Sequence, residues 1–306
     1  MVTPHPPSPI LCPHRPVDTP ERKRNMLRIN CGVFLEQTMA DTTNEMSDIG
    51  PTVCNGMIAL LDVLGAKQWT IDDAKYKLNR IHGITNKVHD GFKNQWQMAR
   101  AKFFPEFNRP LPKILTFGDT IAVAWHLGDD PDLARKAISE HGAPLAISVF
   151  FQHFFFLALE QTVPLRGAIS WGQYITTDNE LLGPAVADAA SWYDKADWIG
   201  IIGTPSFSNQ IKLALELQPE RFADLAKVLF YEYDVPLKTG RHLETVVVPW
   251  PLAYAKCKVE FYRDLAKFPV PLGTEQKYKN TCDFFRAYHK KYPTPTVNEG
   301  QNTSLK

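Results

Sequence analysis

Two aspartates stand where carboxylates can act together. Asp62 closes the short apolar run Met57–Leu61 and is followed by Gly65, while Asp119 sits in a Gly118-Asp119 pair between two strand-like runs, Lys113–Phe117 and Thr120–Trp125. Each has a plain structural reading alone: Asp62 ends a strand, and Asp119 belongs to a pair that favours tight hairpin turns. Brought together, two carboxylates at strand ends repel unless a proton or a cation is shared between them, and oxygen ligands of this kind suit Mg²⁺ or Mn²⁺. Two such ions are what phosphoryl transfer needs, one to activate an attacking hydroxyl and one to hold a triphosphate.

Whether the two aspartates meet depends on the elements around them. After the first strand, Thr70 caps a long helix with Asp72 and Asp73 in its first turn, and apolar residues from Ile71 to Phe103 recur close to helical spacing, more loosely near Gly83. The two strand-like runs follow. Asp130-Pro131 then starts a second helical region to about Glu160, which Pro144 is expected to kink or split, and Arg166–Trp171 forms the next strand. Strand, helix, strand, strand, helix, strand is the ferredoxin-like order. In that topology the first and second strands run parallel with the third antiparallel between them, so Asp62 ends beside the hairpin that carries Asp119. The predicted class is α+β, a ferredoxin-like βαββαβ core with a C-terminal extension.

Beyond this core the sequence predicts a helix over Gly183–Lys195, a strand over Trp198–Ile202, a helical pair through about Lys227, and a hairpin with arms Leu229–Val235 and Thr245–Val248. The remainder, to about Tyr292, reads as helical. Residues 1–50 hold seven prolines between Pro4 and Pro20 and a basic run ending at Arg24, with no sustained apolar period, and are expected to form a disordered leader. The expected organisation is therefore that leader, a main domain over 51–255, a helical extension over 256–292 and a flexible tail over 293–306.

Lys plus Arg number 34 against 33 for Asp plus Glu, a net charge of +1. That balance argues against a surface built for long DNA or RNA or for anionic membrane, so any nucleotide bound is expected to be a small ligand. The five cysteines are odd in number and never in a C-x-x-C arrangement, so neither a disulfide framework nor a structural zinc site is suggested, and a cytoplasmic setting fits. The most apolar stretch, Val149–Leu159, carries Gln152 and His153. It is short of the roughly 20 residues that cross a bilayer, so it reads as a buried helix and no membrane insertion is expected.

Four segments carry a resemblance. Ala59–Gly65 (ALLDVLG), Thr116–Thr120 (TFGDT), Arg166–Gly172 (RGAISWG) and Leu182–Val186 (LGPAV) are similar, in order and spacing, to the homology domains of class III nucleotide cyclases. With Val235–Lys238 (VPLK) and Pro249–Pro251 (PWP), residues 53–255 most resemble the bacterial pyrimidine cyclases of the Pycsar anti-phage defence system. The resemblance implies that Asp62 and Asp119 bind two Mn²⁺ or Mg²⁺ ions per active site. The backbone carbonyl of Val63 would complete a metal site, the loop Leu64–Ala66 with Gly65 would lie against phosphate beside Gly118, and Arg166 would contact the triphosphate. An arginine at a strand start is also a common surface residue. The implied reaction converts UTP, or less readily CTP, to the 3′,5′-cyclic monophosphate and pyrophosphate. The implied enzyme is a homodimer with active sites at its interface, signalling to a separate cyclic-nucleotide effector.

Departures from the family pattern bear on base choice and on activity. Leu115 stands where adenylate cyclases carry a base-reading Lys, which argues against adenine. Glu180 stands where purine cyclases carry their other base-reading residue, and reads otherwise as a solvated loop charge. The Asn and Arg that stabilise the transition state in purine cyclases would fall at Ala187 and Ser191, whose side chains cannot do that work. A purine cyclase with unusual base recognition and a non-catalytic cyclase-homology module that binds nucleotide therefore stand as alternatives. His153 reads as a core or edge histidine and His89-Asp90 as surface. Trp192, Tyr193 and Trp198 could stack on a base but read as core or dimer interface.

Overall fold

The structure is a computed structural model that describes residues 51–293 except 67–68, 104–108, 224, 226–227 and 256, with backbone alone at 94–103, 221 and 223. The expected leader and the tail from residue 294 lie outside the described residues. The elements are β1 (Thr52–Val63), α1 (Ile71–Phe103), β2 (Lys113–Phe117), β3 (Thr120–Gly128), α2 (Pro131–Ser139), α3 (Ala143–Glu160), β4 (Leu165–Thr176), β5 (Leu181–Leu182), α4 (Pro184–Trp192), β6 (Gly200–Gly203), α5 (Pro205–Leu217), α6 (Pro219–Ala223), β7 (Tyr231–Pro236), β8 (His242–Val247), a 3₁₀ turn (Trp250–Tyr254), α7 (Lys258–Leu265) and α8 (Glu275–Lys291). The class is α+β. Among the described residues one mostly antiparallel sheet runs β2-β3-β1-β4-β6-β8-β7, with β5 paired to the end of β4. β1 lies antiparallel to β3 and β3 to β2, so β1 and β2 are parallel with β3 between them, as expected.

β1 is longer than the apolar run that announced it, and it is covered on both faces. A strand buried on both sides reads as a continuous apolar run rather than an alternating one. Met57, Ala59, Leu61 and Val63 enter the main core with Ile81, Val88 and Phe92 of α1 and the phenylalanines of α3. Cys54 and Ile58 face the other way, against Tyr174 of β4 and Ala185 and Ala189 of α4. By the two-residue alternation of a strand, Leu60 and Asp62 belong to this second face.

The helix signals act as chemistry predicts. Thr70 Oγ accepts from Asp73 N (3.2 Å) while the Asp73 carboxylate accepts from Thr70 N (3.1 Å), a reciprocal cap that starts α1. The second helical region does split, but ahead of Pro144: Gly142 adopts φ +79°, and Pro144 sits in the first turn of α3, where no intrahelical N–H bond is lost. α3, at 18 residues, extends beyond the Val149–Leu159 run and by length and composition alone could cross a membrane, yet 72% of it is buried inside the domain. Ser148 Oγ and Gln152 Nε2 both donate to Val228 O (2.7 and 2.8 Å), which satisfies its buried polar groups.

The C-terminal helices share the main core. Trp250 stacks on Phe155 at 4.9 Å, Phe285 of α8 stacks on Phe261 of α7 at 4.0 Å, and Phe284 packs edge-on against Trp198 at 4.8 Å. Trp198 is fully buried and stacks on Tyr233, which settles it as a core residue. His153 faces Gly91 of α1, where burial lowers its pKa, and His89-Asp90 is exposed, both as expected.

One glycine in β1 is dictated by close approach. A Cβ at Gly56, beside a register shift in the β1–β3 ladder, would stand 2.0 Å from the carbonyl oxygen of Trp125. Backbone cannot yield there as a side-chain end would. Gly56→Ala is expected to cost about 1–3 kcal/mol or more, read as a lower urea midpoint at unchanged slope.

Candidate functional site

The site lies where β1 ends. Asp62 stands directly opposite Thr120 of β3 on one side and Arg166 of β4 on the other. The β2–β3 connection is the tight turn at Gly118, φ +62°, and Asp119, and its Asp119 carbonyl accepts from Val63 N at 2.9 Å. Asp62 and Asp119 are thus brought to adjacent positions by the hairpin, as the topology required. Beyond Val63 the chain turns through Leu64, whose N–H donates to Pro164 O (2.9 Å), and through exposed Gly65 at φ +89°.

Arg166 is not a surface residue. Its side chain is 5% exposed, and Nη2 donates to Asp62 Oδ2 at 2.6 Å in an ion pair whose acidic member is 19% exposed. Nη1 reaches Ala196 O at 3.4 Å, and Nε has no hydrogen-bond partner among the described residues. The pair follows from register, because β1 and β4 run antiparallel with Asp62 and Arg166 face to face. It holds one carboxylate oxygen of Asp62, Oδ2.

Other charges surround this pair. Lys238, in the turn between β7 and β8, donates its backbone N–H to Lys195 O (2.9 Å), and its ammonium stands 3.7 Å from Asp194. Burial, and then repulsion from Arg166, lower the pKa of Lys238. Burial works to raise the pKa of Asp194, but the hydrogen bond from Lys195 and the charges of Lys238, Lys195 and Arg166 together hold it below the ordinary value. Lys238 was legible only as part of the Val235–Lys238 segment, with nothing in its own spacing to mark a role.

Leu115 pairs with Ala122, which pairs with Leu60, so by alternation it lies on the same sheet face as Asp62, one pleat repeat away. Glu180 is not part of this group. It is exposed in the turn joining β4 to β5, at the end of β4 remote from Arg166, and Lys113 ties that turn to β2 through Thr177 O. Ala187 and Ser191 are both exposed on α4, and the Ser191 hydroxyl donates to Asp188 O at 2.7 Å.

Among the described residues no group of three or more His, Cys, Asp or Glu side chains is placed to hold a metal. Asp62 and Asp119 are two, and their donors are all hard oxygens. A site of this composition suits Mg²⁺ or Mn²⁺ where a phosphate ligand supplies the remaining oxygens. No family model and no curated protein matches the sequence.

Proposed function

We propose that the chain is a nucleotide cyclase of the class III type that converts UTP, or less readily CTP, to the 3′,5′-cyclic monophosphate and pyrophosphate, as a second-messenger synthase in anti-phage defence. The observation that carries the reading is the backbone placement of Asp62 and Asp119 at neighbouring positions of one strand end, with Arg166 paired to Asp62. The strand order β2-β3-β1-β4, with β1 and β2 parallel, is that of a ferredoxin-like βαββαβ core, which supports the cyclase assignment.

Asp62, Asp119 and the Val63 carbonyl would hold two Mn²⁺ or Mg²⁺ ions. Once bound, the ions would lower the pKa of the ribose 3′-hydroxyl and offset charge on the triphosphate. The protein residues orient and neutralise. Arg166 holds Asp62 in one rotamer by its 2.6 Å bond, and Arg166 and Lys238 present positive charge to the phosphate chain. The 3′-oxygen forms its bond to the α-phosphorus as the bond to the β-phosphate bridging oxygen breaks; the proton passes to solvent and pyrophosphate departs. Glu180, remote from Arg166 along β4, would serve a site completed by a second subunit, in keeping with a homodimer.

Leu115 offers no donor to a purine, and leaving a polar base edge unmet costs about 1–3 kcal/mol. UTP is therefore expected to exceed ATP and GTP by at least about tenfold in kcat/KM. The purified protein is incubated with each of the four ribonucleoside triphosphates and Mn²⁺, and the products are separated by chromatography. Equal or faster turnover of ATP would overturn pyrimidine choice and leave a purine cyclase. The exposed Ala187 and Ser191 favour a second reading, a non-catalytic module, and no turnover of any triphosphate by folded protein would select it.

A further inference from the structure

The loop that closes the site on its far side is fastened to the last helix. Asn280 Nδ2 donates to Asp197 O at 2.7 Å, and Ile199 N donates at 2.9 Å to Thr281 Oγ, which itself donates at 2.7 Å to Lys277 O. Asn280 and Thr281 are buried, at 7% and 0% exposure. The second turn of α8, directly after the turn that holds Lys277, is therefore locked to residues 197–199. The same loop accepts Arg166 Nη1 at Ala196 O, and Ala196 bridges to Leu237 beside Lys238. The segment 195–199 thus bonds to the Arg166 side chain, to the Lys238 backbone and to the helix that carries Lys277.

Lys277 is half-buried and close enough to Arg166, Lys238, Asp62 and Asp197 to interact with each electrostatically. The nearby carboxylates already have partners: Asp62 pairs with Arg166, Asp194 with Lys195 and Lys238, and Asp197 accepts from Asn280. Burial first and Arg166 next lower the Lys277 pKa, with Lys238 adding to them and Asp197 and Asp62 opposing. Arg166 Nε is buried without a hydrogen-bond partner among the described residues. Converging cations and an unfilled donor fit a polyanion, whose binding would relieve the mutual repulsion.

We infer that Lys277, from the C-terminal helix beyond the cyclase-like region, is a polyphosphate-binding residue that joins Arg166 and Lys238 in holding the β- and γ-phosphates of the substrate. The assignment of those phosphates to a nucleoside triphosphate rests on the cyclase reading. It makes α8 part of the site: a helix that otherwise serves the core also delivers a positive charge to the departing pyrophosphate.

The test uses inorganic tripolyphosphate as probe and the full chain, with affinity read by calorimetry. Lys277→Met keeps the aliphatic stem that packs and removes the charge. It is expected to bind tripolyphosphate about tenfold more weakly than wild type, with Lys277→Arg restoring most of the loss. Lys279→Ala, at an exposed lysine paired with Asp283, is expected to leave affinity unchanged. In the cyclase assay Lys277→Met is expected to raise KM more than it lowers kcat. Equal affinity of wild type and Lys277→Met, or no binding of tripolyphosphate to wild type, would overturn the inference whatever the activity. Weakened binding in Lys277→Met together with no turnover of any triphosphate would leave the anion site standing and remove the cyclase reading.

Discussion

Asp119→Ala is expected to lower product formation from UTP at least about a hundredfold, equivalent to about 2.7 kcal/mol of transition-state stabilisation, while shifting Tm by no more than about 2 °C. The two effects separate because the turn is held by backbone. Asp119 contributes its carbonyl to Val63 N at 2.9 Å, and Gly118 supplies the positive φ, so truncating the side chain leaves the hairpin in place. What is removed is one of the two carboxylates that would bridge metal and triphosphate. Measured with Mn²⁺ and each triphosphate, retention of more than a few per cent of activity would defeat the two-metal assignment. Asp62→Ala is expected to lose activity equally but is the poorer test, because its carboxylate also partners a buried arginine.

The neighbouring backbone positions of Asp62 and Asp119 were legible because they depend on few, local signals: an apolar run ending in Asp, a Gly-Asp pair between two short strands, and the order of four strands and the helices between them. What the sequence left open has a common cause. Arg166 read as a triphosphate contact or as a surface arginine, and its buried pairing with Asp62 stayed hidden because it depends on β4 continuing from Leu165 to Thr176 and on a register that sets it opposite a residue 104 positions away, neither of which its neighbours encode. The region 256–292 read as a helical extension without its packing, because a helix with one apolar stripe looks the same whether it caps a domain or enters its core; only the Phe285–Phe261 and Trp250–Phe155 contacts decide that. Lys277 carried no signal at all, being one of several lysines on α8 and selected only by the loop to which its helix is bonded. The split before Pro144 was anticipated to within a turn, and its exact place was decided by Gly142, whose left-handed conformation the sequence permits but does not demand.

The ion pair beneath the site predicts an asymmetry in stability. Removing one member of a buried pair leaves an uncompensated charge and costs about 3–5 kcal/mol, whereas replacing both members by apolar side chains is often neutral or stabilising. Here the members differ in exposure, 5% for Arg166 and 19% for Asp62. Asp62→Ala strands the more buried charge and is expected to fall in that range, about 3–5 kcal/mol by urea denaturation. Arg166→Leu strands a carboxylate that water can still reach, so its cost is expected to be smaller. The double variant Asp62→Leu with Arg166→Leu is expected to recover most of the loss, giving a coupling energy above about 1 kcal/mol between the two positions. Activity should not return with stability, since both the carboxylate proposed to hold metal and the guanidinium are gone. A cost below about 1 kcal/mol for Asp62→Ala, or strict additivity in the double variant, would show that the pair contributes little to the fold and that Arg166 is held by its contact with Ala196 and by packing.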